Sequence, residues 1–264
     1  MNIFLRELKT NFKSLVIWAL IVIFFAVIGF AKFSAYYGNP ELLAILNDMP
    51  AALVDALNMN AFNLTTVTGF FGVMFTYFAL IVSIAAAMWG SDIISKEERD
   101  KTVEFSLTLP VTRSRVVTAK FLAALVNCVV LLFVSWGAIL YGASSYHQES
   151  SFQSYVALSM LALFIMELIF LAVGIFLGCA MKQYKRAGSI AVSLLLGTYI
   201  LSVMAGLSKN LDFLQYFTPF SYFNPANILR DSSLDLTYVL MSVGIIAAAM
   251  VGAYLTYNRR DLYI

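Results

Sequence analysis

Six stretches of this chain are each long enough and apolar enough to cross a bilayer, and that repetition leaves few folds open. A span needs about 20 predominantly apolar residues. The candidates lie at about 14–34, 69–91, 118–142, 155–178, 188–207 and 237–257. Inside hydrocarbon the backbone must satisfy its own hydrogen bonds, which a helix does within one segment. The expectation is an all-α membrane protein, a single transmembrane domain over residues 1–264 with six spans. Composition points the same way. The chain is 61% hydrophobic and 12% charged, against roughly 25% charge in soluble domains. The first apolar run is span-length and lacks a small-residue cleavage site, so it reads as a span and not a cleavable signal peptide.

An even number of spans puts both termini on one side. Lys and Arg decide which. With both termini cytoplasmic, the inner side holds Arg6, Lys9, Lys13, Lys96, Arg99, Lys101, Arg113, Arg115, Lys120, Lys182, Lys185, Arg186, Arg259 and Arg260. That is fourteen of the seventeen basic residues; Lys32, Lys209 and Arg230 fall outside or near the outer ends. The net charge of +2 carries no information about partners.

Residues 1–13 alternate Phe4, Leu5, Leu8 and Phe12 with Arg6, Lys9 and Lys13. They read either as an interfacial amphipathic helix or as the charged flank of the first span. The outer loop at about 35–68 is apolar but interrupted by Glu41, Asp48, Pro50 and Asp55, which predicts one or two short helices at the interface. The connection at about 208–236 is dense in aromatics: Tyr216, Phe217, Phe220, Tyr222 and Phe223, with Phe213 before them. Pro219 and Pro225 break it. It reads as a re-entrant segment forming an outer gate, or as an aromatic belt anchoring the sixth span.

Little in the chain suggests catalysis. No GxxxxGK followed by Ser or Thr is present, so there is no loop to cradle a nucleotide, and no GxSxG, HExxH or CxxC. The only histidine, His147, falls in an outer loop, and no metal site is expected. Cys128 and Cys179 lie in apolar runs and read as reduced packing residues. Glu167 is the exception, a carboxylate near the middle of the fourth span. Such a residue costs about 2.5–3.5 kcal/mol even on lenient insertion scales, and is a functional candidate by default. Asn127 in the third span is a possible partner. Gly174 and Gly178, and Gly244, Ala248 and Gly252, have the small-residue spacing of tightly packed spans. The spacing leaves open whether those contacts lie within the chain or between chains.

The longest polar interval lies between spans two and three. Seven of the ten residues from Ser95 to Glu104 are charged. Asp92 to Asp100 has acids and bases at helical neighbour spacing, Val103 and Leu107 are four apart, and Pro110 stops a helix. Thr112 or Ser114 can cap the next one. The loop at 92–117 thus reads as helix, short helix, sharp stop and new span, or as a merely solvated loop.

These residues carry a resemblance. EERDKTVEFSLTLPVTRSRVVTAK resembles the segment between the second and third spans of the type-2 ATP-binding-cassette permeases. The matching positions are Glu97, Glu98, Lys101, Thr102, Glu104, Phe105, Leu107, Pro110, Val111, Thr112, Arg113 and Lys120. Lys101 stands where many members have Gly, and Ser106 interrupts an apolar run. The first outer loop, the aromatic segment and the closing YNRRDLYI also look like their family counterparts.

The resemblance implies a function. A short coupling helix between spans two and three would dock in a separate ATPase, through Glu97, Glu98, Lys101, Thr102, Glu104, Leu107, Pro110 and Arg113. Two ATPase copies would act on two permease subunits, this chain with a copy or a paralogue. This chain would bind no cofactor; ATP and Mg would belong to the partner, in the cell membrane of a bacterium or archaeon. The family mainly exports, and the paucity of charge in these spans favours a hydrophobic or amphipathic cargo. No nucleic acid is implicated. Two other readings stay open: an ion-coupled carrier working through Glu167, and a non-transporting immunity or sensor subunit.

Overall fold

A computed structural model describes residues 3–39, 62–99, 111–181, 183–207 and 209–259. Its long helices are α1 (Ile3–Tyr36), α2 (Val67–Arg99), α3 (Arg113–Ala143), α4 (Phe152–Ala180) and α5 (Tyr184–Leu207). A 3-10 segment (Lys209–Phe217) and two short helices, α6 (Pro219–Tyr222) and α7 (Pro225–Asp231), lead to α8 (Leu236–Arg259). Each of the six predicted spans lies inside one long helix, and all six helices are long and apolar enough to cross a membrane. The chain is a multi-pass, all-helical membrane protein.

Two helices run further than hydropathy suggested. α2 does not end near residue 91 but continues to Arg99. Polar residues there do not break it because their groups are met within the helix. Ser91 donates to the Ala87 carbonyl at 2.9 Å and Ser95 to the Ser91 carbonyl at 2.7 Å. α1 takes in residues 3–13 and the first span without a break. At 1.5 Å per residue its 34 residues extend about 51 Å, well beyond a hydrocarbon core of about 30 Å. No hinge separates a surface-lying helix from the span; residues 3–13 are the span's own charged stem. The short helices expected in the first outer loop fall at residues outside the described ones.

The core is the pair α2 and α4, which run in the same direction and touch along their backbones. In lipid, helices associate by close packing and not by expulsion from water, so small residues mark the contact. A Cβ on Gly90 would lie 2.4 Å from the Leu171 carbonyl oxygen, and one on Gly174 would lie 2.5 Å from that of Ala87. Gly178 faces the Ser91 carbonyl in the same way. The Gly174/Gly178 pair therefore makes a contact within the chain. A Cβ on Gly252 would meet the Phe176 ring across α8 and α4, whereas one on Gly244 would meet no described atom of another element within 4 Å. α3 packs beside this pair with α1 against it, and α5 and α8 lie outermost. In the most apolar window of each helix, 67% of α2 is buried against 11% of α5 and α8.

At the end where α1 finishes and α2 starts, Phe33 stacks on Phe70 at 4.6 Å and meets Tyr146 edge-on at 4.8 Å. Tyr146 donates to the Phe30 carbonyl at 3.2 Å, and the His147 backbone N–H donates to the Tyr37 hydroxyl. His147 thus serves through its main chain. Cys128 and Cys179 are both buried, and neither is in a disulfide.

Gly174→Val should overpack a backbone contact that cannot yield, costing about 1–3 kcal/mol. Gly244→Val should cost nothing comparable. Thermal unfolding of both variants in mild detergent checks this; equal loss would remove the α2–α4 contact from its central place.

Candidate functional site at the charged end of the bundle

The start of α1, the end of α2, the start of α3 and the end of α8 meet at one end of the bundle, and a set of polar side chains ties them together. Lys96 and Glu97 are adjacent on α2, so their side chains leave the helix about 100° apart. Lys96 turns to α1, where it forms a buried ion pair with Glu7 and reaches the Asn11 Oδ1 at 3.4 Å. Glu97 turns to α3, where its Oε1 lies 3.1 Å from Nζ of Lys120. Lys120 is fully buried and also donates to the Ile93 carbonyl at 2.7 Å. Two turns before Lys96 on α2, Trp89 donates its indole N–H to the Ser14 hydroxyl at 2.9 Å.

α3 begins where it does because Thr112 caps it, accepting from the Arg115 N–H. Arg113 then reaches the Tyr257 and Asn258 carbonyls at 3.2 and 3.4 Å. These carbonyls belong to the last turn of α8, where a cation is favoured by the exposed carbonyls and the helix dipole. Asn258 donates to the Ser114 hydroxyl at 3.2 Å, and Thr118 and Tyr254 share a hydrogen bond at 2.8 Å.

The energies of these contacts differ by burial. The Asp92–Arg99 pair has side chains 44% and 49% exposed, and such surface pairs contribute about 0–1 kcal/mol. Breaking a buried pair by removing one partner costs about 3–5 kcal/mol, because a buried charge is left alone. Glu7–Lys96 and Glu97–Lys120 are of the second kind. They make the ends of α1, α2 and α3 one mechanical body, from which the 100–110 segment emerges.

The predicted coupling residues divide accordingly. Glu97 is 7% exposed, so it clamps α3 and does not face outward. Arg113 is turned to the end of α8. Glu98 lies in α2, with its side chain outside the described residues. Lys101, Thr102, Glu104, Leu107 and Pro110 lie outside them altogether. Glu7, Asn11 and Lys96 were not anticipated as site residues. The available hint was Glu7 itself, the one acid among the first basic residues, with Asn11 one turn on.

A second polar locus lies inside the bundle. Glu167 is fully buried in α4, and among the described residues neither carboxylate oxygen has a hydrogen-bond partner. The Asn127 carboxamide nitrogen is likewise unpartnered, so the two do not pair with each other. Ser83 on α2, also buried and unpartnered, stands level with Glu167 in the α2–α4 register.

The aromatic segment is folded into short pieces, none long enough to cross a bilayer. Tyr222 and Phe223 are buried, Phe220 partly so, while Tyr216 and Phe217 are exposed.

The profile of ABC-2 family transporter proteins matches residues 1–262. A search of curated proteins finds no match.

Lys120→Met should lower stability by about 3–5 kcal/mol, leaving Glu97 buried and unpaired. Arg99→Met should cost no more than about 1 kcal/mol. Replacing the whole pair, Glu97→Leu with Lys120→Met, should recover much of the loss. Thermal unfolding in detergent at low and high salt measures all three; a Lys120→Met effect that salt abolishes would mean the pair is solvated.

Proposed function

The chain belongs to the ABC-2 transporter family, and on that premise we propose that it is the membrane-spanning permease subunit of an ATP-driven exporter. The observation that carries the reading is the charged end. α2 and α3 are long unbroken rods, and both roots of the segment between them are locked to neighbouring helices by buried or charge-assisted contacts. A partner pressing on that segment would move α1, α2 and α3 together, since Lys96 holds α1 to α2 and Lys120 holds α3 to α2.

In this reading the charged end is cytoplasmic, in agreement with the distribution of Lys and Arg. The 100–110 segment is the coupling helix, and Glu98, Lys101, Thr102, Glu104 and Leu107 contact a separate ATPase that holds ATP and Mg. Two ATPases act on two permeases, this chain and a copy or paralogue. Their closure drives the coupling helices, and the motion reaches the far end through α2, whose backbone is in contact with α4. Cargo moves outward past the aromatic segment. Few charged side chains occupy the spans, which favours a hydrophobic or amphipathic cargo.

The isolated burial of Glu167 supports a second reading, an ion-coupled carrier. Glu167→Gln separates the two. As a packing group it should leave transport unchanged in a correctly assembled protein. As an ion-handling group its loss should stop gradient-driven uptake into vesicles without nucleotide.

The deciding experiment is purification of the tagged chain from its own host in mild detergent, with and without Glu104→Lys. A stoichiometric P-loop ATPase, lost in the variant, is the expected result. No ATPase across several detergents would overturn the permease reading and leave the carrier.

A further inference from the structure

The half of the bundle away from the charged end contains a cavity of about 290 Å3 that the coupling mechanism does not use. α2 forms one wall, through Val73 to Ala79, and the last turns of α5 form the other, from Tyr199 to Gly206. The 3-10 segment and the two short helices close it, with Gln215, Phe220 and Asn227 among the lining residues, and Tyr238 of α8 completes the boundary.

Its closure is held in place by specific contacts. The Phe220 ring sits between Phe170 of α4 at 5.6 Å and Tyr199 of α5 at 5.4 Å. Tyr222 stacks on Tyr238 at 5.0 Å and donates to the Tyr216 carbonyl at 2.5 Å. The buried Tyr155 hydroxyl of α4 donates to the Pro225 carbonyl at 3.1 Å. The short helices are thus fixed to both α4 and α8, so the space beneath them is a formed cavity.

The lining defines what the cavity suits. Among the described residues around it there is no Asp, Glu, Lys, Arg or His. Polar groups are nonetheless plentiful. The Gln215 and Asn227 carboxamides and the Tyr77 and Tyr199 hydroxyls line it, and none of the four has a hydrogen-bond partner among the described residues. Tyr77 and Asn227 are exposed and Tyr199 and Gln215 half-buried, so their neutral donors and acceptors are accessible to a ligand that enters the cavity. A charged ligand would find no counter-charge among the described lining residues to offset the water it gives up. Phe75, Phe220 and the tyrosine rings supply flat apolar walls suited to an aromatic or similarly planar group. The volume lies near the lower end of small-molecule sites, about 300–1,000 Å3.

We propose that this cavity is a binding site for a small uncharged amphiphile, one planar apolar portion bearing a neutral amide or hydroxyl head. The site is complete within one chain. It requires neither the ATPase nor a second permease.

Three photoreactive probes of one shape test it: benzophenone-4-carboxamide, benzophenone-4-carboxylate and 4-(aminomethyl)benzophenone, which at neutral pH are neutral, anionic and cationic. The full chain in phosphatidylcholine nanodiscs is irradiated over a concentration series of each, and labelled peptides are mapped. The amide should label α2 and α5 peptides saturably. The two ions should need a concentration about tenfold higher or more. Ser202→Phe and Thr76→Phe, on opposite walls, should each abolish the saturable labelling by filling the space. Equal labelling by all three probes would overturn the ligand class. Absence of saturable labelling, or its survival in both folded variants, would overturn the site. If neither variant folds, the comparison of probes on the unsubstituted chain decides alone. No readout involves nucleotide, so failure here leaves the permease reading standing, and the reverse holds too.

Discussion

Two parallel helices whose backbones touch set the frame of this protein. A leucine gains little by moving from lipid to a helix partner, because both surroundings are hydrocarbon. What holds α2 to α4 is contact close enough for dispersion between main chains, and only residues without a Cβ permit it. Gly90, Gly174 and Gly178 lie where any side chain would strike a carbonyl or the adjoining helix. The spacing of these two rods then dictates where α3 can lie and how far Lys120 must reach. It also sets Ser83 and Glu167 at the same level of the bundle, both buried.

At the charged end a different physics takes over. The glycine contact is short-ranged and has no preferred partner beyond α4, whereas the ion pairs distinguish their partners by sign. Lys96 selects an acid on α1, and Glu97 selects a base on α3. Buried pairs of this kind contribute little net energy compared with apolar replacements, but they strongly penalise any arrangement that separates them. They suit a structure that must keep three helix ends in register while the segment between two of them is pushed. At the cavity end no buried ion pair occurs among the described residues, and rings and tyrosine hydroxyls hold it, contacts that tolerate small shifts.

How much of this was legible in the sequence depended on how local each property is. The six spans were, because hydropathy over a window of twenty residues needs no knowledge of neighbours. The end of α2 was legible only in part: the charges from Asp92 to Asp100 have helical spacing, but that they prolong the span without a break depends on groups satisfied within the helix and by α1. Lys96–Glu7 joins residues 89 apart in sequence, and nothing at either position announces the other. Glu97 fits an outward-facing motif by spacing, but a helix turns 100° per residue, and only the position of α3 reveals that it points inward. The aromatic segment was recognisable as broken from Pro219 and Pro225. Its division into exposed Tyr216 and Phe217 and buried Tyr222 and Phe223 depends on α4 and α8, which sequence spacing does not place.

The hydrogen bond from Trp89 to Ser14 has an optical consequence. The indole is 3% exposed and bonded across the α1–α2 seam, two turns from the Lys96–Glu7 pair. Its emission reports the dielectric at that seam. Separation of α1 from α2 admits solvent to the ring and shifts the emission to longer wavelength. With Trp18 and Trp136 replaced by Phe, the remaining fluorophore becomes an intrinsic gauge of whether these two helices stay joined, readable in a membrane without any attached label.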